Sequence, residues 1–204
     1  MQNQTIALAM TGASGAEYGL RLLEQLLLAN ERVDLMLSQP AQIVINTETD
    51  LTLPSTPAQI QTILSKKYAA KPNQLQVLGT KAWMSAIASG SNAARAMVIC
   101  PCTNGTLAGI ANGLSRNLIE RVADVSLKEQ KKLILVHRET PLSVIQLENM
   151  LTLAKAGAVI MPANPAFYHR PKTVNELIDF MVARVLDHLN IDHQVSQRWH
   201  DETL

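Results

Sequence analysis

Residues 6–24 read IALAMTGASGAEYGLRLLE. The apolar run Ile6–Met10 stops at Thr11-Gly12-Ala13-Ser14-Gly15, and Leu20, Leu22 and Leu23 then begin a helical spacing. That pattern predicts a strand, a tight loop and a helix. Ser14 and Glu17 fit the S-x-x-E capping box, so free N–H groups and the positive end of the helix dipole converge on the loop. Such a loop suits a phosphate or a polar ring. It equally suits a capped βα turn with no ligand, and because the pattern is not G-x-G-x-x-G it names no dinucleotide by itself.

The same punctuation recurs along the chain. Apolar runs at 6–10, 33–38, 75–79, 96–100, 132–136 and 158–161 alternate with helical segments expected at 15–29, 40–48, 58–66, 103–112, 117–129, 142–156 and 173–189. Strands alternating with helices imply βαβ units and a doubly wound parallel sheet, and the nearly all-apolar strands imply helices on both faces. The stretches DLTLPSTP at 50–57 and KKYAAKPNQ at 66–74 read as surface connections. With 204 residues, 47% of them hydrophobic, and no Ser/Gly/Pro-rich linker, the expectation is one domain over 1–204, residues 190–204 forming a tail or helix end.

Eighteen basic against 17 acidic residues leave a net charge of +1, which argues against nucleic acid held by bulk electrostatics. The N-terminus MQNQTIALAMTGASG has no charged leader, and its apolar run is too short for a signal peptide or membrane span, so the expected compartment is the cytoplasm. Cys100 and Cys102 form C-P-C, which reads as reduced, buried thiols. None of the five histidines sits in a ligand spacing such as H-E-x-x-H. His188, Asp192 and His193 read as a solvated helix end, and no metal is expected.

In an open parallel sheet, ligands sit beyond the carboxyl ends of the strands. The residues just after each apolar run are small and polar: Thr11 to Gly15; Ser38-Gln39-Pro40; Cys102 to Thr106; His137-Arg138-Glu139-Thr140; and Pro162 to Arg170. Thr103-Asn104-Gly105-Thr106 is a second hydroxyl-rich loop opening a helix. Two such loops at one sheet edge favour a nucleotide-like ligand.

The stretches TGASGAEYGLRLLE, ASGSNAARAMVICPCTNGTLAGIANGLSRNLIERVADVSLKE and KLILVHRETPLSVIQLENMLTLAKAGAVIMPANPAFYHRP, in this order, resemble the flavin prenyltransferases of the UbiX type. The resemblance covers nearly the whole chain. Cys100 stands where an aliphatic residue is common, and Thr103-Asn104 where Ser-Met is common. The resemblance implies a flavodoxin-like fold, a dodecamer with active sites at subunit boundaries, and transfer of a dimethylallyl group from dimethylallyl phosphate to N5 and then C6 of reduced FMN. FMN is then a substrate more than a recycled cofactor, and prenylated FMN would serve a UbiD-type decarboxylase in ubiquinone or aromatic-acid metabolism. By the same resemblance, Gly12, Ala13, Ser14, Ser38, Thr103, Asn104, Gly105, Thr106 and Arg138 contact FMN. Ser89, Gly90, Arg121, Lys128, Tyr168 and Arg184 receive the phosphate donor. Glu48 works with Ser14 at the flavin N5 proton, Glu139 lies near the phosphate, and Trp83 walls the prenyl site.

Each of these residues also has a plainer reading. Arg121 and Lys128, two helical turns apart, share one helix face that is solvated in most proteins. Arg184 reads as a surface residue of an amphipathic helix, Glu139 as an ion pair or cap, and Trp83 as packing. Trp199 reads equally as a cap over the site, a subunit contact or packing. Two other functions compete. An FMN-dependent cysteine decarboxylase of the same superfamily would carry a Met-Trp pair, where this chain has MPANPAFYHRP with Tyr168. A non-catalytic flavin carrier would not need a second set of anion-directed cations.

Overall fold

The computed structural model describes residues 4–196; Trp199 lies outside them. Strands β1 (Ile6–Met10), β2 (Val33–Leu37), β3 (Leu75–Leu78), β4 (Ala96–Cys102), β5 (Lys132–His137) and β6 (Val159–Pro162) form one sheet in the order β3-β2-β1-β4-β5-β6. Every pairing is parallel. Helices α1 (Ala16–Leu28), α2 (Gln39–Glu48), α3 (Pro57–Lys67), α4 (Asn104–Ala111), α5 (Leu118–Lys128), α6 (Val144–Lys155) and α7 (Val174–Leu189) complete the doubly wound α/β architecture, with the strand order of a Rossmann-like fold. The winding reverses between β1 and β4, which places a crevice outside their carboxyl ends.

Alternation along the strands divides the interior into two cores. Ile6, Leu8 and Met10 of β1 point toward α1, α2, α3 and α7, with Leu20, Leu23, Ile45, Ile60 and Val182. Ala7 and Ala9 point the other way, toward α4, α5 and α6, with Leu107, Ile119, Val122 and Leu153. Each fully buried leucine of this kind contributes about 1.5–3 kcal/mol. The sheet therefore separates α5 from α7, a fact on which the site depends.

Three local expectations give way to the structure. β4 runs to Cys102, past the apolar run, because Pro101, which has no N–H to give, uses its carbonyl: Thr11 N (3.1 Å) and Thr11 Oγ1 (2.9 Å) both donate to it. The register of β4 against β5 shifts there, between Ile99 and Cys102. Two 3-10 turns, Ala86–Ala88 and Gly90–Asn92, occupy the approach to β4. The Ser14–Glu17 capping box does not form: Gly15 is the N-cap of α1 and no side chain of its own segment caps it. His193, expected in a solvated helix end, has a side chain only 4% exposed, with Nε2 3.1 Å from Asp187 Oδ1.

Thr11 is buried, and its hydroxyl has two partners: it donates to Pro101 O and accepts from Thr103 N (2.9 Å). It joins the end of β1 to the turn that opens α4. Thr11→Val keeps the volume but strands a buried N–H, which costs about 1–3 kcal/mol. Urea unfolding is expected to show that loss for Thr11→Val and much less for Thr11→Ser; equal losses would show that the hydroxyl bonds are dispensable.

Candidate active site

The first glycine loop is closed from a distance. Gly15 adopts φ 100°, and a Cβ there would lie 2.8 Å from the Tyr18 ring, so only glycine fits. The N–H groups of Gly15 and Ala16 donate to Glu48 Oε2 at 2.8 and 2.9 Å. Glu48 ends α2, and Ser38, which starts it, accepts from Ala41 N (3.1 Å) while its own N–H donates to Met10 O (3.1 Å). One short helix thus sets Ser38 at the end of β1 and Glu48 under the start of α1. Burial works against the Glu48 charge, but hydrogen bonds from the Ser14 side chain and from Ala16 and Gly15, with the Arg138 charge, hold its carboxyl below the usual range.

The second loop is capped locally. Thr103 Oγ1 accepts from Thr106 N (3.2 Å) and donates to Thr106 Oγ1 (3.0 Å). Asn104 Nδ2 donates to Glu139 Oε2, and Asn104 Oδ1 lies 2.7 Å from His137 Nε2. Arg138 Nε donates to Ser14 O (3.1 Å), tying the end of β5 back to the first loop. Nothing lies within 4 Å of where a side chain on Gly105 would begin, so the first turn of α4 is open to a ligand. The donors here are backbone N–H groups, hydroxyls and one guanidinium, a set that fits the phosphate and ring edge of a flavin nucleotide. Gly12, Ala13, Ser14, Ser38, Glu48, Thr103, Asn104, Gly105, Thr106, Arg138 and Glu139 thus share the carboxyl edge of the sheet.

The remaining expected residues do not join them in one chain. α5 runs antiparallel to the strands: Leu118 N donates to Thr80 O (2.8 Å) beyond β3, and Lys131, just past the helix, precedes the start of β5. Its 11 residues span about 16 Å, so Lys128 lies at the amino edge of the sheet. Gly90 belongs with it: a side chain on Gly90 would begin 2.5 Å from Lys128 Nζ and 2.1 Å from Glu129 Oε1. Arg121 Nε donates to Ala88 O (3.1 Å), next to Ser89. Trp83 is 45% exposed in the loop after β3, beside the almost fully exposed Met84. Tyr168 and Arg184 lie on the opposite face of the sheet, Tyr168 edge-on to Phe180 of α7 at 5.9 Å.

Arg121 pairs with Asp124 (2.9 Å) and Arg184 with Asp187 (2.7 Å), all four at least partly solvated. Such pairs contribute about 0–1 kcal/mol, so an arriving anion can take either guanidinium at little cost. Lys128 is paired in the same exposed way with Glu129. The paired carboxylates and the His137–Asn104 bond escaped the sequence reading; His137 stood among the expected edge residues without a role. Burial pushes the Cys102 thiol up to about 12 and raises Cys100 as well, so neither is a nucleophile at neutral pH. Among the described residues no group of three His, Cys, Asp or Glu could hold a metal ion.

Because the folded state lowers the Glu48 pKa, the stability it lends is present above the unfolded value, about 4.3, and is lost as pH falls through the folded value. Chemical denaturation is expected to find Glu48→Gln less stable than the parent at pH 7, the two converging below pH of about 4. A gap that stayed constant down to pH of about 3 would remove the charge from the account.

The comparisons with known proteins agree with this geometry. Residues 1–186 match the model of the family described as Flavoprotein. The flavin prenyltransferase UbiX of Pseudomonas aeruginosa is 51% identical over 201 residues, covering 98% of this chain and 96% of its own. A crystal structure of AnUbiX (PadA1) in complex with FMN and dimethylallyl pyrophosphate superposes with a TM-score of 0.85 at 39% identity, covering 98% of each chain. A dodecameric FMN-dependent UbiX-like decarboxylase from Escherichia coli O157:H7 gives a TM-score of 0.83 at 38% identity, covering 96% of this chain and 99% of its own. With half its residues shared along nearly its full length, and the two polar loops at the switch of a six-stranded parallel sheet, this chain belongs to the UbiX-type flavin prenyltransferases.

Proposed function

We propose that the protein transfers a dimethylallyl group from dimethylallyl phosphate to N5 and then C6 of reduced FMN, and that the prenylated flavin passes to a UbiD-type decarboxylase of ubiquinone or aromatic-acid metabolism. What supports this reading is that, besides the polar loops at the carboxyl edge, the chain presents the partly exposed, weakly paired cations Arg121, Lys128 and Arg184, which a flavin carrier would not need. The loops at the carboxyl edge hold the flavin. Arg121, Lys128, Arg184 and Tyr168, with Ser89 and Gly90, gather on the second phosphate. As the donor's C1–O bond breaks, its electron pair leaves on the phosphate oxygen, and these cations stabilise that charge. The N5 lone pair forms the new N–C bond and the N5 proton leaves; for the second bond the prenyl double bond takes up a proton, C6 bonds the carbon left electron-deficient, and the C6 proton is lost.

Within that scheme Glu48 and Ser14, already hydrogen-bonded to each other, are placed to manage the N5 proton. Glu139 meets the departing phosphate. Trp83 offers a π face to the allylic cation without the basicity that would quench it. Because Lys128 and Arg184 lie on opposite faces of the sheet, the site is completed by neighbouring copies, in line with a homo-oligomer and with a dodecamer in particular. The free, buried thiols Cys100 and Cys102 favour a reducing compartment, the cytoplasm. No helix among the described residues is long and apolar enough to cross a membrane.

Anaerobic incubation with reduced FMN and dimethylallyl phosphate is expected to yield a flavin heavier by one prenyl unit; unchanged flavin mass from a folded oligomer would overturn the proposal. Lys128→Ala and Arg184→Ala should each slow that conversion by the equivalent of about 2–5 kcal/mol while FMN titration stays near the parent value. Equal loss of FMN affinity would mean that these cations serve the flavin instead.

A further inference from the structure

His137 ends β5 with its side chain sealed among the strand ends, 2% of the residue exposed. Its Nε2 is 2.7 Å from Asn104 Oδ1, and the same amide's Nδ2 donates to Glu139 Oε2. The second carboxyl oxygen, Glu139 Oε1, accepts from Thr140 N at 3.0 Å. These bonds settle where the protons lie. If the Asn104 amide were reversed, its oxygen would face the Glu139 carboxylate, acceptor against acceptor. With the amide as found, Oδ1 must accept, so His137 carries its proton on Nε2. Burial lowers the affinity of the ring for a second proton, against the attraction of Glu139 and with the repulsion of Arg138, so the donor is a neutral imidazole.

We propose that His137 is a positioning residue for the reaction: its Nε2–H orients the Asn104 carboxamide, which in turn holds the Glu139 carboxyl in one rotamer. The chain His137–Asn104–Glu139 joins the ends of β4 and β5, and it has no slack. A carboxyl bonded through both oxygens, one to its neighbour's backbone and one to an amide that cannot flip, presents its remaining lone pairs in a single direction. The inference rests on the reading of Glu139 as the group that meets the leaving phosphate. It adds a residue that touches no reactant and acts only through another.

Two measurements test it. In single-turnover prenylation of reduced FMN, His137→Gln, whose amide can still donate to Asn104, should keep most of the parent rate. His137→Leu should lose about tenfold, roughly one hydrogen bond's worth. FMN affinity, KM for dimethylallyl phosphate and thermal stability, measured alongside, should move together in the two variants if the residue only packs. A Leu variant as fast as the Gln variant overturns the proposal. Nitrogen NMR of histidine-labelled parent protein, with His137→Gln to assign the signal, should show a neutral ring protonated on Nε2. A proton on Nδ1 overturns the relay whatever the enzyme assay gives. A parent protein that leaves the flavin unchanged while the ring shows the Nε2–H form would instead sink the prenyl-transfer reading and leave the hydrogen-bond chain standing.

Discussion

The parallel pairing of β1 with β4 is the constraint from which the rest follows. It is the point where the winding reverses, so the loops that leave these two strands diverge and open a crevice between them. Thr11 holds that opening at a set width, because its hydroxyl bonds both the last turn of β4 and the N–H that starts the Thr103 loop. Helix α2 then sets a carboxylate under α1, and Arg138 reaches from the next strand to the Ser14 carbonyl. Each contact spans separate elements, so the crevice is rigid only as a whole.

On the proposed assignment of Lys128 and Arg184, parallel topology also explains why one chain would carry two incomplete sites. Each connection between parallel strands must return to the amino edge, and α5 and α7 carry Lys128 and Arg184 back with them, on opposite faces of the sheet. Cations meant for a ligand at the carboxyl edge can sit near the ends of returning helices only if another copy supplies the edge. Their exposed, weak ion pairs are consistent with groups that change partner on assembly or on binding an anion.

The fold was legible because its signals are local. Six apolar runs separated by helical spacing needed no tertiary information, and their positions agree with the strands to within a residue or two. The failures share one cause, a partner far away in sequence. Ser14 and Glu17 form a plausible cap by spacing, yet the actual acceptor is Glu48, 33 residues on from Gly15. Pro101 argues against a strand on local grounds, and the strand continues because Thr11 bonds its carbonyl. His193 looks like a solvated helix end until Asp187 folds against it. At the site, residue types were readable from the motifs, whereas the carboxylates that partner Arg121, Lys128 and Arg184 were not, since acids on a helix face carry no mark of their role.

That the reaction centre is shared between copies is most directly tested by mixing. Lys128→Ala and Arg184→Ala chains, each expected to be slow alone, would be unfolded, combined and reassembled, and prenylation of reduced FMN by the mixed oligomers compared with that of each parent treated identically. Sites that take Lys128 from one copy and Arg184 from another will include some with both intact, so the mixture is expected to recover a clear fraction of wild-type turnover. Mixed oligomers, verified by mass, that show no more activity than the sum of their parents would contradict a site divided between copies.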